Sequence, residues 1–172
     1  SGTTDDQLLS KNYKLNKDID LEGVKFEPIG SLDHPFTGKF YGEKHSIKNL
    51  TIEKDKNSKG VGFFGAIKGS VVKDLNIENA NVKGGSVIGV LVGEAQVDAA
   101  AGKNNLIAHC KVSGTVEAKG ERVIKVADAG GLVGAAQEKT DPNTYDYATT
   151  TIFDAHADVK VTADTGANDK AT

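Results

Sequence analysis

The chain has 172 residues, enough for one domain with a sizeable core and short of two full ones. Its net charge of −3, from 21 basic and 24 acidic residues interspersed along the chain, argues against a nucleic-acid partner, which would call for a basic face. Cys110 is the single cysteine, so no intramolecular disulfide forms, and no apolar run approaches the roughly eighteen residues a membrane-inserted helix needs.

Twenty glycines, three prolines and short runs of Val, Ile and Thr predict strands joined by tight turns rather than long helices. Ser1 and Gly2 read as an expression remnant. Next, TTDDQLL (3–9) predicts a short helix with Thr3 or Thr4 at its start and acids in its first turn. We assign residues 1–12 as an N-terminal lid, because stacked strands otherwise expose an unpaired edge.

Two elements then recur. An apolar pair closed by glycine appears as VGFFG (61–65), VLVG (90–93) and GGLVG (130–134). A second element appears as IKNLTI (47–52), VKDLNI (72–77), IAHCKV (107–112) and, weakly, IFDAHA (152–157). Its polar column holds Asn49, Asp74, His109 and Asp154, separated by 25, 35 and 45 residues. A unit of about 25 residues lengthened by insertions explains the growth, since loops can lengthen while packed strands cannot. One insertion point follows the closing glycine, growing to residues 94–105 and then 135–150; the other is residues 117–129.

Such a unit cannot bury its apolar face alone, so copies stack into a continuous core. The expected fold is all-β, a parallel β-solenoid over residues 13–165 followed by a tail at 166–172. Alternation in LNIENANV (75–82) places Leu75 and Ile77 inward and Asn76 and Glu78 outward. The closing glycines read as corners needing a left-handed or cramped backbone, not as phosphate binders; the P-loop spacing G-x-x-x-x-G-K-[ST] occurs nowhere. The polar end at 162–172 and the lack of a second lid lead us to expect a fragment of a larger protein.

The order NYKLNKDIDLEGVKFEPIG (12–30), PFTGKFYGEKHSIKNLTI (35–52), VGFFGAIKGSVVKDLNI (61–77) and GGLVG (130–134) resembles the GLUG-repeat proteins of bacterial surfaces and the related N-terminal region of IgA-cleaving metallopeptidases. The resemblance implies a right-handed parallel β-helix, secreted or attached to the cell surface, used as an adhesive or spacer module. Val90 departs from the family's glycine, and IFDAHA departs from its I-x-N-L-x-I.

Chemistry is sparse. His34, His45, His109 and His156 form no zinc pattern, and no metal or other cofactor is expected. His45 reads as a turn or packing residue. Cys110 falls in an inward column with Leu50, Leu75 and Ala155 and reads as a small core residue. Asp18 and Asp20 lack the further oxygens of a calcium loop and are expected to meet Lys17 or Lys25. The column Asn49, Asp74, His109 and Asp154 reads first as corners at which Asn and Asp bend the chain. It reads second as the groove of a polysaccharide lyase or glycosidase using Asp74, His109 and Asp154.

The insertions are the stronger lead, because stacking puts equivalent loops on one side. Asp141, Asn143, Tyr145 and Tyr147 form the candidate ligand site, a mixture suited to stacking on a carbohydrate or docking a protein. The expected function is non-catalytic: an extracellular or cell-surface module binding a host or matrix glycan or protein. The alternatives are a polysaccharide-degrading enzyme and a purely structural stalk or accessory region of an IgA-type protease.

Overall fold

A computed structural model describes residues 5–119, 130–137, 139–140 and 147–163, the pair 139–140 by backbone alone. The described chain is all-β apart from one helix of a single turn, Asp6–Leu9, and its main sheets are parallel. Among the described residues no helix is long and apolar enough to cross a membrane.

The helix starts later than the sequence predicts. Its N-cap is Asp5, whose carboxylate accepts the Gln7 N–H at 2.9 Å. Thr3 and Thr4 lie outside the described residues. Buried Leu9 ends the helix, and its carbonyl accepts the N–H groups of Thr37 and Gly38 at 2.8 and 3.1 Å, tying the helix to the next passage of the chain.

The chain visits the same sheets in the same order several times. The first sheet takes Tyr13–Lys14, Lys39–Tyr41, Val71–Lys73, Asn105–Ala108 and Thr150–Phe153, each parallel to the one before. The second takes Ile19–Asp20, Ser46–Lys48, Asn76–Gly84, Lys111–Ala118 and His156–Ala163, with Thr51–Glu53 also pairing onto Asn76–Gly84. A two-stranded sheet pairs Lys59–Val61 with Ser86–Ile88, and a third larger sheet stacks Phe64–Lys68, Val92–Gln96 and Val133–Ala136.

Register corrects the repeat. Ile47 pairs with Ile77, whereas Val72 pairs with Phe40. IKNLTI therefore lies one corner further along the chain than VKDLNI, and Asn49 stands over Asn79 rather than Asp74. Leu50 correspondingly sits beside Ala80, while Leu75, Cys110 and Ala155 share the other corner; Leu50, Leu75 and Cys110 still meet in one core. Both corners need the same thing, a polar residue in the left-handed region followed by an inward apolar one, so their sequences look alike. Positive φ is found at Asn49 (58°) and Asn79 (54°) on one corner and at Asp74 (54°), His109 (54°) and Asp154 (47°) on the other. The predicted alternation holds through Leu75 and Ile77 and shifts phase at Asn79, after which Ala80 and Val82 are buried.

The closing glycines have a different cause. Ile29 pairs with Phe64, Phe64 with Val92 and Val92 with Val133, so Gly30, Gly65, Gly93 and Gly134 stack in register. Only Gly30 has a positive φ; the other three are set by close approach. An added Cβ on Gly65, Gly93 or Gly134 would stand 2.4, 2.5 or 2.7 Å from the carbonyl oxygen of the glycine one layer earlier. GVGFFG (60–65) does carry the G-x-G-x-x-G spacing, but it runs from Lys59–Val61 into the strand Phe64–Lys68. It therefore opens no helix whose N-terminus would receive a phosphate.

Inside, Phe40, Phe63 and Phe64 meet edge-to-face, Phe40 lying 5.7 and 5.5 Å from the other two between centroids, and Phe36 packs tilted on Phe64. Later passages continue it with Ile77, Ile107, Val112 and Val116. Overpacking a rigid backbone contact costs about 1–3 kcal/mol. Gly93→Ala is accordingly expected to lower unfolding free energy by about that amount in a urea titration; a wild-type midpoint would remove the glycine stack as a packing constraint.

Candidate functional site

Two surfaces gather polar side chains, one at each end of the first-sheet strands. At the exit, three passages turn sharply into the second sheet, through Lys73-Asp74-Leu75, Ala108-His109-Cys110 and Phe153-Asp154-Ala155. The passage before them turns more widely, through Gly42, Glu43 and Lys44, the last two at φ 53° and 65°. Its Gly42 and Lys44 N–H groups donate to the Lys73 and Asp74 carbonyls at 2.8 Å each. Gly42 cannot carry a side chain here, since a Cβ would lie 2.3 Å from the Asp74 carbonyl oxygen.

This exit corner frames an open groove of about 560 Å³ lined by Lys44, Lys73, Asp74, Asn76, His109, Lys111 and Asp154. His109 Nδ1 lies 2.8 Å from Asp154 Oδ2, and His156 Nε2 lies 3.2 Å from Asp154 Oδ1. The Phe153 ring stands edge-on to the His109 imidazole at 5.5 Å. Hydrogen bonds from His109, then from His156, hold the Asp154 carboxyl below its ordinary range. By contrast, the carboxylate of Asp74 and the ammonium groups of Lys44, Lys73 and Lys111 have no hydrogen bond or ion pair to the described residues. Asn76 is fixed by donating to the Lys44 carbonyl at 3.2 Å.

Asn49, expected in this groove, belongs to the next corner. There its amide donates to Asp20 at 2.9 Å and accepts from Asn79 at 2.7 Å. Asp20 also accepts the Glu22 N–H, and Asp18 accepts the Ser46 N–H at 2.9 Å and meets His45 at 3.3 Å. The two aspartates thus bind the following passage through amides and an imidazole rather than Lys17 or Lys25. His45 sits in the turn as expected, and His34 meets Asp6 at 3.1 Å. Among the described residues no group of three His, Cys, Asp or Glu is arranged to hold a metal ion. Cys110 is fully buried, and desolvation pushes its thiol up to about 11.

At the entry end of the first-sheet strands lie the two insertions. In 94–105, an Asp98–Lys103 bridge closes a tight turn containing Gly102 at φ 62°. In 135–150, Lys139–Thr140 pairs antiparallel with Tyr147–Ala148. Val97 and Ala99 of the first insertion and Ala148 of the second form a small apolar cluster of their own, so the loops pack on each other. Buried Asn105 anchors their return: it accepts the Ser70 N–H at 2.9 Å and donates to the Gln96 carbonyl and Thr150 Oγ1 at 2.6 and 3.0 Å. Tyr147 is 55% exposed on this surface. Asp141, Asn143 and Tyr145 lie outside the described residues.

Sequence reading missed Lys44, Lys73, Lys111 and Asn76 as one groove, His156 as a partner of Asp154, and Asn105 as an anchor. Lys73 and Lys111 do lie within the repeated motif, at the second position of VKDLNI and the fifth of IAHCKV, but only the register shows that both border the same corner.

No protein-family model and no solved structure matches the chain. Among curated proteins it is 28% identical over 141 residues to Halomucin from Haloquadratum walsbyi, an alignment covering 74% of this chain and 1% of that protein. The chain therefore spans about one hundredth of the length of the curated relative it matches.

The lowered carboxyls give an acid limb. Asp18 is lowered chiefly by the Ser46 N–H, Asp20 by Asn49 and Asp154 by His109. A carboxyl depressed on folding contributes stability that is present above its unfolded value, about 3.9, and is lost as pH falls through its folded value. Thermal midpoints are expected to drop below about pH 4, and less steeply in a variant combining Asp18→Asn, Asp20→Asn and Asp154→Asn. An acid slope identical to wild type in that variant would contradict the assignment.

Proposed function

We propose that this chain is a right-handed parallel β-helix acting as a non-catalytic, extracellular or cell-surface binding module, a member of the GLUG-repeat type. Its ligand is a host or matrix glycan or protein. Parallel pairing in a constant sheet order supports the winding, and right-handed crossovers between parallel strands are the near-universal choice. The likeness to Halomucin supports a surface setting.

The observation that carries the binding reading is the packing of the two insertions onto one another through Val97, Ala99 and Ala148. The core does not require these loops, yet they share an apolar cluster and an anchoring asparagine and present an exposed tyrosine. Tyrosine offers a large, rigid contact surface with few rotamers to freeze, so Tyr147, with Asp141, Asn143 and Tyr145 beside it in sequence, forms the contact patch.

An enzymatic reading has one observation in its favour, the presence of Asp74, His109 and Asp154 in one groove. It is weakened because Asp154 is engaged by two imidazoles, leaving Asp74 as the one unengaged carboxylate there. Release of reducing or unsaturated ends from acidic polysaccharides, abolished by Asp74→Asn, would establish it instead.

Glycan arrays and host-protein pull-downs test the binding reading. The double variant Tyr145→Ala with Tyr147→Ala is expected to weaken any captured ligand about tenfold or more. Unchanged capture by that variant would reject the patch.

A further inference from the structure

We propose that the exit-corner groove is a second binding site, selective for polysaccharides bearing sulfate or carboxylate groups. It is separate from the insertion surface.

Three cations converge on the groove from three places in the chain. Lys44 comes from the wide turn, Lys73 from the end of the first-sheet strand Val71–Lys73, and Lys111 from the start of the second-sheet strand Lys111–Ala118. None of the three is paired with a described acid, although the chain as a whole carries a net charge of −3 and other lysines are engaged, Lys54 with Glu27 and both Lys83 and Lys119 with Glu117. Gathering unpaired cations costs mutual repulsion, which an incoming anion removes. Of the two acids in the groove, Asp154 is already engaged in hydrogen bonds with His109 and His156.

The remaining groups select a sugar over other polyanions. Asp74 keeps a free carboxylate, an acceptor suited to hydroxyl groups, and Asn76 and the His109 imidazole add further polar edges. Among the described residues no Phe, Tyr or Trp lines the groove, and its one ring, His109, is held by Asp154 and set edge-on to Phe153, so no row of stacking faces is built for the bases of a single-stranded nucleic acid. Successive passages of a sheet lie about 4.8 Å apart, so cations from neighbouring layers face a chain laid along the corner at more than one point.

The test compares the wild-type chain with a groove variant, Lys44→Gln, Lys73→Gln and Lys111→Gln together. A control of equal charge change carries Lys14→Gln, Lys17→Gln and Lys25→Gln. Each is titrated against a sulfated polysaccharide, polygalacturonate, neutral dextran and single-stranded DNA at physiological salt.

The groove variant is expected to lose about tenfold in affinity for at least one acidic polysaccharide, and the control less than about threefold. Dextran is expected to bind none of the proteins, and the two acidic polymers distinguish sulfate from carboxylate recognition. Asp74→Asn, which removes the opposing charge while keeping an acceptor oxygen for hydroxyl groups and a residue that tolerates the left-handed conformation, is expected to tighten binding to the preferred polyanion, and it supplies the test where the groove variant proves unstable. Equal losses in groove and control variants, absence of wild-type binding to either acidic polymer, equal affinity for single-stranded DNA, or no tightening in Asp74→Asn would each overturn the proposal. Binding retained in the Tyr145→Ala and Tyr147→Ala double variant separates this site from the insertion patch.

Discussion

In-register stacking of backbone on backbone is the constraint on which the rest of the structure depends. When each passage donates hydrogen bonds to the passage beside it, a bend in one strand must be repeated in the next or the bonds between them fail. The left-handed residues obey this: Asn49 lies beside Asn79, and Asp74, His109 and Asp154 succeed one another. Val87 is the extreme case. A β-branched residue disfavours positive φ, yet Val87 holds φ 58° because its neighbours Ser86 and Ile88 pair with Lys59 and Val61, aligning it with Gly60 at φ 72°. Stacking outweighs local preference there.

The same constraint sorts the side chains by what they tolerate. At the glycine stack the chains approach so closely that a Cβ meets a carbonyl oxygen, and the position is closed to other residues. At the corners the side chain points away from the core, so Asn, Asp and His are all accommodated. These positions are therefore where chemistry can vary without disturbing the scaffold. The insertions use a third freedom, since a loop leaving one strand and returning to the next need only restore the register. Buried Asn105 does that by bonding to Ser70, Gln96 and Thr150, each in a different segment.

How much of this the sequence revealed depended on whether a feature is local. Strand content, inward Leu75 and Ile77, the core position of Cys110 and the recurring glycine are written in short-range patterns, and each is found in place. The register was not legible, because two different corners share one local requirement and hence one motif; IKNLTI and VKDLNI match by sequence and lie at different corners. The glycine's cause was half legible, since position alone does not separate a positive φ from a close approach. The exit groove was illegible for a stronger reason. Lys44, Lys73 and Lys111 are ordinary surface lysines until the register brings them to one corner. At the insertions, Tyr147 is exposed, and Asn105 carries no signal in sequence that sets it apart from its neighbour Asn104.

Burial in such an arrangement is a property of neighbours rather than of residues. Ile107 and Ala108 are buried between Val72 and Lys73 on one side and Ile152 and Phe153 on the other. Ile152 and Phe153 continue the same column in the same register, yet they are 47% and 60% exposed, and Val161, paired with buried Val116, is 41% exposed. Identical chemistry therefore contributes unequally, because an aliphatic side chain covered on one face loses only part of its water contact. Stability accumulates passage by passage through the interfaces between them, and the passage 150–163 holds the weaker share. The exit groove straddles that gradient, with Lys44, Lys73 and Asp74 on well-buried layers and Asp154 on the least covered one. The hydrogen bond from His109 to Asp154 therefore does structural work, since it links the exposed layer's corner to the buried layer beneath it, while His156 holds the same carboxylate from within its own passage.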